Sequence, residues 1–267
     1  MPHGNSCSLP SYPFRMRLLS ALFALLTSTS VLAGIFDRCD YTAPRSASAS
    51  AAGVSRIVII GRAGSLRVEG RAGTQVQATG TACVSDRALL NDTRLTAQRS
   101  GSELRIEALV PDTGMFQRAA LDFEVTLPAN IPVMVKDGSG SLTIAGTYDL
   151  TVDDGSGSLQ IHNITGNLSV EDGSGSISIS NVTGDVRIVD GSGSIEVEHI
   201  GGSVTIPSDS SGSVDIRDVK RNVTIESKGS GSISVADVGG DFRVAHKGGG
   251  RLWYDRVAGR VVVPGRN

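Results

Sequence analysis

Aromatic residues are scarce: they make up 4% of the 267 residues, with a single tryptophan. A core built on large aromatic side chains, which bury the most area per ordered residue, is therefore excluded. Net charge of one sign is also lacking. Lys+Arg number 25 against Asp+Glu 27, which excludes a strongly basic nucleic-acid binder. Proline counts only 9, so a collagen-like chain is ruled out. Cysteine counts 3, too few for a disulfide-dense scaffold. What is abundant is glycine, 33 residues or about 12% against a usual value of roughly 7%. Hydrophobic residues still reach 39%, enough to bury a core and to argue against disorder.

The N-terminus reads as a secretory signal. Arg15 and Arg17 precede the apolar run Leu18–Leu26, and Val31 and Ala33 suit the −3 and −1 positions of a cleavage site. Residues 1–33 are expected to be removed, with Met1 or Met16 as the start. The run is too short and too interrupted to favour a permanent membrane span. Loss of Arg15 and Arg17 takes the net charge from −2 to −4. It also removes Cys7, leaving Cys39 and Cys83. In an oxidising compartment these two predict a disulfide. Phe36-Asp37-Arg38 before Cys39 is unlike a lipidation site.

Residues 34–53 are small and polar and read as a linker or extended arm. Residues 54–136 carry alternating strand patterns such as Arg56–Ile60, Ser65–Val68 and Asp122–Val125, with no fixed period, and read as an irregular β region. Asp86–Leu90 reads as a short helical turn.

From residue 137 to 267 the chain is periodic. Asp-Gly-Ser-Gly occurs at 137, 154, 172 and 190, and degenerate copies start at Asp209, Lys228 and Lys247. The seven copies lie 17–19 residues apart. So short a period predicts an all-β fold: a parallel β-helix, or β-solenoid, of coils of about 18 residues that bury their apolar faces only by stacking. Each coil offers two in-out-in strands. The inward columns run Leu142/Ile144 to Leu252/Tyr254 and Leu150/Val152 to Val261/Val263, with a third from Ile164 to Val257. The glycines fit two corners, Gly-Ser-Gly at one and Gly166, Gly184, Gly202 and Gly240 at the other, where positive φ is expected. The ending Lys247–Asn267, with Arg251, Arg256, Arg260 and Arg266, reads as a polar cap that opposes end-to-end stacking. Trp253 is read as part of that cap.

Asp137, Asp154, Asp172, Asp190 and Asp209 form a column. Aspartate favours turns by bonding its own backbone, and this is the reading adopted. The weighed alternative is that these five carboxylates hold a cation, calcium in particular. Asn163, Asn181 and Asn222 begin Asn-x-Thr triplets and are read as corner residues rather than glycan acceptors. His162, His199 and His246 are scattered. No HExxH, Cys/His cluster, nucleophile elbow or phosphate loop occurs. No catalytic residue, no resident metal and no cofactor is therefore expected, and no ligand is named.

The signal peptide, the Cys-containing β region and the Asp-Gly-Ser-Gly repeat together resemble the bacterial DUF4097 family of adhesin-like β-strand repeat proteins, over roughly residues 50–265. The Cys39 segment is similar to the start of mature members from Gram-negative bacteria. The resemblance implies an exported envelope or surface β-solenoid without known catalytic residues. The leading expectation is a non-enzymatic, adhesin-like binding protein of the periplasm or cell surface, monomeric, with a glycan or a surface protein as partner and no nucleic acid. The alternatives are a self-assembling envelope protein and a polysaccharide-active enzyme.

Overall fold

The computed structural model describes residues 39–114 and 117–265. The expected signal segment and its cleavage site lie outside the described residues. Strands β1 (Tyr41–Ser50), β2 (Arg56–Ile60), β3 (Leu66–Arg71), β4 (Gln75–Val84), β5 (Arg94–Ser100), β6 (Glu103–Leu109) and β7 (Ala119–Pro128) come first. Then follow β8 (Pro132–Asp137), β9 (Gly140–Ala145), β10 (Tyr148–Val182), β11 (Val186–Ile200) and β12 (Val204–Ser211). The chain closes with β13 (Val214–Val219), β14 (Val223–Ser230), β15 (Ile233–Val238), β16 (Phe242–Lys247), β17 (Leu252–Val257) and β18 (Val261–Val262). One 3-10 turn spans Arg87–Asn91, where the Asp86 carboxylate caps the Ala88 N–H. No α-helix occurs among the described residues, and so no described helix could cross a membrane.

The all-β solenoid is present. Successive coils pair in parallel, residue for residue: Leu168 with Val186, Ile177 with Ile195, Val204 with Val223. The in-out-in pattern forces this register, since a one-residue slip would turn every inward Ile and Val to water. The inward columns are buried, Leu142, Ile161, Ile179, Val197, Ile216 and Val235 among them. So is the third column at Ile164, Val182, Ile200, Val219 and Val238. Stacking lines up small aliphatics into one continuous core, which is how a chain poor in aromatics fills its interior.

Parallel stacking does not begin at residue 137. β2 pairs with β8 and β3 with β9, both parallel. Gly61-Arg62-Ala63-Gly64 lies over the first Asp-Gly-Ser-Gly corner, through an Ala63–Ser139 bridge. One coil further out, β6 lies parallel to β2 and β7 parallel to β3. The stack ends in antiparallel partners: β5 on β6, β4 on β7 and β1 on β4. These cover the edges that the coils would otherwise present. The segment expected as a linker or arm thus includes a ten-residue strand, β1. It is fastened by the Cys39–Cys83 disulfide, Cα atoms 5.1 Å apart. Arg45 adds bonds from Nε to the Thr93 carbonyl and from Nη2 to the Leu90 carbonyl, both 2.6 Å.

The second corner differs from its sequence reading. Of Gly166, Gly184, Gly202 and Gly240, only Gly166 has positive φ, at 112°. The left-handed position is held by Asn163, Asn181, His199, Asp218, Asp237 and Arg256 instead, with φ between 47° and 59°. Asparagine and aspartate tolerate that region best among residues with a side chain. Glycine is needed at Gly184 for a different reason: a Cβ there would stand 2.3 Å from the Gly166 carbonyl oxygen of the preceding coil.

Candidate functional site

Two features stand out: the aspartate column inside one corner and a groove along the outer face of the second strand.

The column is in register. Asp137 pairs with Asp154, Asp172 with Asp190, Asp190 with Asp209, and Asp209 with Lys228. It ends upward at Gly61, where a Cβ would lie 2.0 Å from Asp137 Oδ1. The residues are buried, from 8% exposed at Asp137 to 1% at Asp209. Both carboxylate oxygens of Asp154, Asp172, Asp190 and Asp209 lack a hydrogen-bond partner, as does Asp137 Oδ2. The expectation that each aspartate bonds its own turn is therefore met only weakly. The Gly155 and Ser156 N–H groups face Asp154 closely enough to lower its pKa, without reaching hydrogen-bond geometry.

Burial dominates the electrostatics, because a low-dielectric site disfavours the charged form. It pushes Asp137 up to about 7, helped by the charge of Asp154. It pushes Asp154 up to about 6, helped by Asp172, and Asp190 to about 6, helped by Asp209 and Asp172. Asp172 and Asp209 are raised from the same cause, with Lys228 pulling Asp209 back. Lys228 Nζ lies 3.1 Å from Asp209 Oδ2, both side chains at 0% exposure. It also donates to the Ser230 carbonyl at 2.5 Å. Among the described residues no three His, Cys, Asp or Glu side chains converge as a metal cluster.

The groove has a volume of about 760 Å³. It runs from Arg56 over Thr151, Ser169 and Arg187 to Thr205. Its floor is fixed by ladder register, Ser169 opposite Arg187 and Arg187 opposite Thr205. Its margin is fixed by a side-chain ladder that the sequence reading missed. Asp149 Oδ1 accepts the Asn167 N–H at 2.8 Å, Asn167 Oδ1 the Asp185 N–H at 3.0 Å, and Asp185 Oδ1 the Ser203 N–H at 2.7 Å. Asn222 and Asp241 repeat the bond to Asp241 and Arg260. Asn222 is thus a ladder residue, while Asn163 and Asn181 hold the left-handed corner. The signal was the recurrence of Asp or Asn at one corner position, Asn167, Asp185, Asn222 and Asp241, interrupted by Ser203.

Among the described residues, the histidines do not assemble with a nucleophile. His199 is exposed, 3.9 Å from both Glu198 and Asp218. Trp253 is 52% exposed and in register with outward-facing Ser234. It is Tyr254 that stands against the last core aromatic, Phe242, with ring centroids 5.9 Å apart.

No curated protein matches the chain. Among solved structures, a candidate adhesin from Bacteroides fragilis is 13% identical, covering 84% of this chain and 98% of its own, with a TM-score of 0.42. A candidate cell adhesion protein from Clostridium sporogenes is 12% identical, covering 84% and 99%, with a TM-score of 0.35. A candidate lipid binding protein from Parabacteroides distasonis is 15% identical, covering 80% and 96%, with a TM-score of 0.37. The family model Toastrack DUF4097 matches residues 63–247, and with most of its length matched the chain belongs to the DUF4097, or Toastrack, family.

Proposed function

We propose that the protein is an exported, non-enzymatic, adhesin-like binding protein of the bacterial envelope or surface, and that the groove takes an extended glycan strand. The observation that carries this reading is the groove itself. It presents a hydroxyl or guanidinium in each coil from Thr151 through Ser169 and Arg187 to Thr205, the last three in ladder register, with Arg56 at its end. A polymer laid along the coils would meet the same chemistry at every step, and Arg56 and Arg187 suit acidic sugars because a guanidinium binds carboxylate in two-point fashion. The exposed large hydrophobics, Tyr41, Tyr148, Trp253, Tyr254 and Val262, lie outside the groove, which favours a glycan over a protein partner. Export is supported by the signal pattern of residues 15–33 and by the disulfide. The non-enzymatic reading is supported by the placement of the carboxylates whose pKa is raised. They face the interior, and Asp137 among them lines an outer cleft.

The test is binding of labelled mature protein to arrays of neutral and acidic polysaccharides. Retention on acidic polymers, weakened by Arg187→Glu, is expected. Blank arrays combined with protease-sensitive binding to whole cells would replace the glycan by a protein partner.

A second reading, self-assembly through the last coil, is favoured by one observation: β18 has only two residues and leaves Tyr254 and Val262 exposed. A strict monomer in sedimentation at high concentration would remove it.

A further inference from the structure

We infer that the buried aspartate column is a file of sites for a hard metal cation of the calcium class, each ion lying between the carboxylates of successive coils. Three observations on the molecule carry this.

The first is the unpartnered oxygens. Asp154, Asp172, Asp190 and Asp209 are each at least nine-tenths buried inside the corner; both carboxylate oxygens of the first three are unpartnered, and Asp209 meets only Lys228. Buried carboxylates are found paired or on metals, because leaving them alone is costly.

The second is Lys228. At the coil where the column passes from aspartate to lysine, the ammonium occupies the gap below Asp209. Its ligands are one carboxylate oxygen and the Ser230 backbone carbonyl. The chain has thus placed a fixed cation in the file. The ligands it finds there, carboxylate and corner carbonyl, are those a calcium ion uses. Ser211 and Ser192 occupy the place of Ser230 in the two coils above, in ladder register. Two carboxylates and such carbonyls supply an oxygen set that side chains alone do not.

The third is spacing and access. Parallel strands lie about 4.8 Å apart, so carboxylates stacked one per coil are near enough for one ion to touch two successive coils. Calcium accepts the irregular oxygen set this offers, whereas magnesium demands a near-ideal octahedron. The upper end of the file opens, at Asp137, on a cleft of about 500 Å³ rimmed by Arg62, Asp112 and Lys136. Lys136 is engaged by Asp153 at 3.2 Å. The lower end is closed by Lys228.

The experiment uses the mature full chain, stripped with chelator, at pH 8. Calcium chloride, magnesium chloride and sodium chloride at matched ionic strength are titrated by calorimetry, with thermal melting in parallel. Calcium is expected to bind and to raise Tm by several degrees, with magnesium at least tenfold weaker. Asp154→Asn with Asp190→Asn, which removes a carboxylate from every stacked pair, is expected to abolish the calcium response while raising Tm in chelator. Lys228→Asp is expected to add to the calcium bound per chain. A wild-type chain with no calcium heat and an unchanged Tm would overturn the inference, and the column would then hold protons only. Equal responses to calcium, magnesium and sodium would overturn it as well, reducing the effect to screening.

Discussion

The Lys228 ammonium lies 3.1 Å from Asp209 Oδ2, and neither side chain reaches solvent. An ion pair enclosed this way contributes little against an apolar pair of the same size, yet breaking it on one side strands a buried charge. Lys228→Met is therefore expected to cost about 3–5 kcal/mol. Adding Asp209→Asn should recover most of that loss. Chemical denaturation of the wild type, single and double variants measures this. Equal stability of the single variant and the wild type would contradict the pairing.

The column also sets a pH dependence. Asp137, at about 7, and Asp154 and Asp190, at about 6, are all raised above the ordinary 3.8. The folded chain therefore binds these protons more tightly than the unfolded chain. Their contribution is full below about pH 4 and is lost as pH rises through 6 to 7. In chelator, Tm is expected to fall between pH 5 and pH 8, and Asp190→Asn should flatten the slope. A Tm that rises over this window would contradict the account.

The Asp149–Asn167–Asp185 ladder ties each coil to the next. Asp185→Ala removes the acceptor of the Ser203 N–H and is expected to cost about 1–3 kcal/mol. Faster amide exchange at Ser203 than at Asn222 is the local readout. Unchanged exchange would mean that the ladder is decorative.

Gly193 sits at φ +147°, and a Cβ there would stand 1.4 Å from the Gly175 carbonyl oxygen. Gly193→Ala is expected to cost about 3 kcal/mol or more, since both conformation and stacking oppose it. Gly101→Ala, where φ is +60° and nothing lies within 4 Å, should cost only the strain of its backbone. Melting curves of the two variants separate stacking from conformation.

The coils were legible because Ile177, Ile195 and their equivalents recur with the Asp-Gly-Ser-Gly corner, and period plus alternation leaves one way to bury them. The Cys39–Cys83 pair was legible from compartment and count. The coil formed by β2 and β3 was not, because Gly61-Arg62-Ala63-Gly64 shares only its final glycine with the Asp-Gly-Ser-Gly corner it lies over. The insertion of residues 72–131 breaks the period there, and pairing across it is a tertiary fact. The aspartate column was visible, but its burial was not. In one-dimensional alternation an aspartate beside glycine reads as turn chemistry, and only stacking turns it inward. The groove was not legible, because its margin depends on bonds between coils.

The most direct test of the account is the affinity of the mature chain for an array-selected acidic polysaccharide, compared between Arg187→Glu and Arg243→Glu. Both arginines are exposed on the same outer face of the second strand, but only Arg187 lines the groove. The account predicts a loss of about tenfold or more, near 1.4 kcal/mol, for Arg187→Glu and no loss for Arg243→Glu. Equal affinities for both variants and the wild type would contradict binding through the groove.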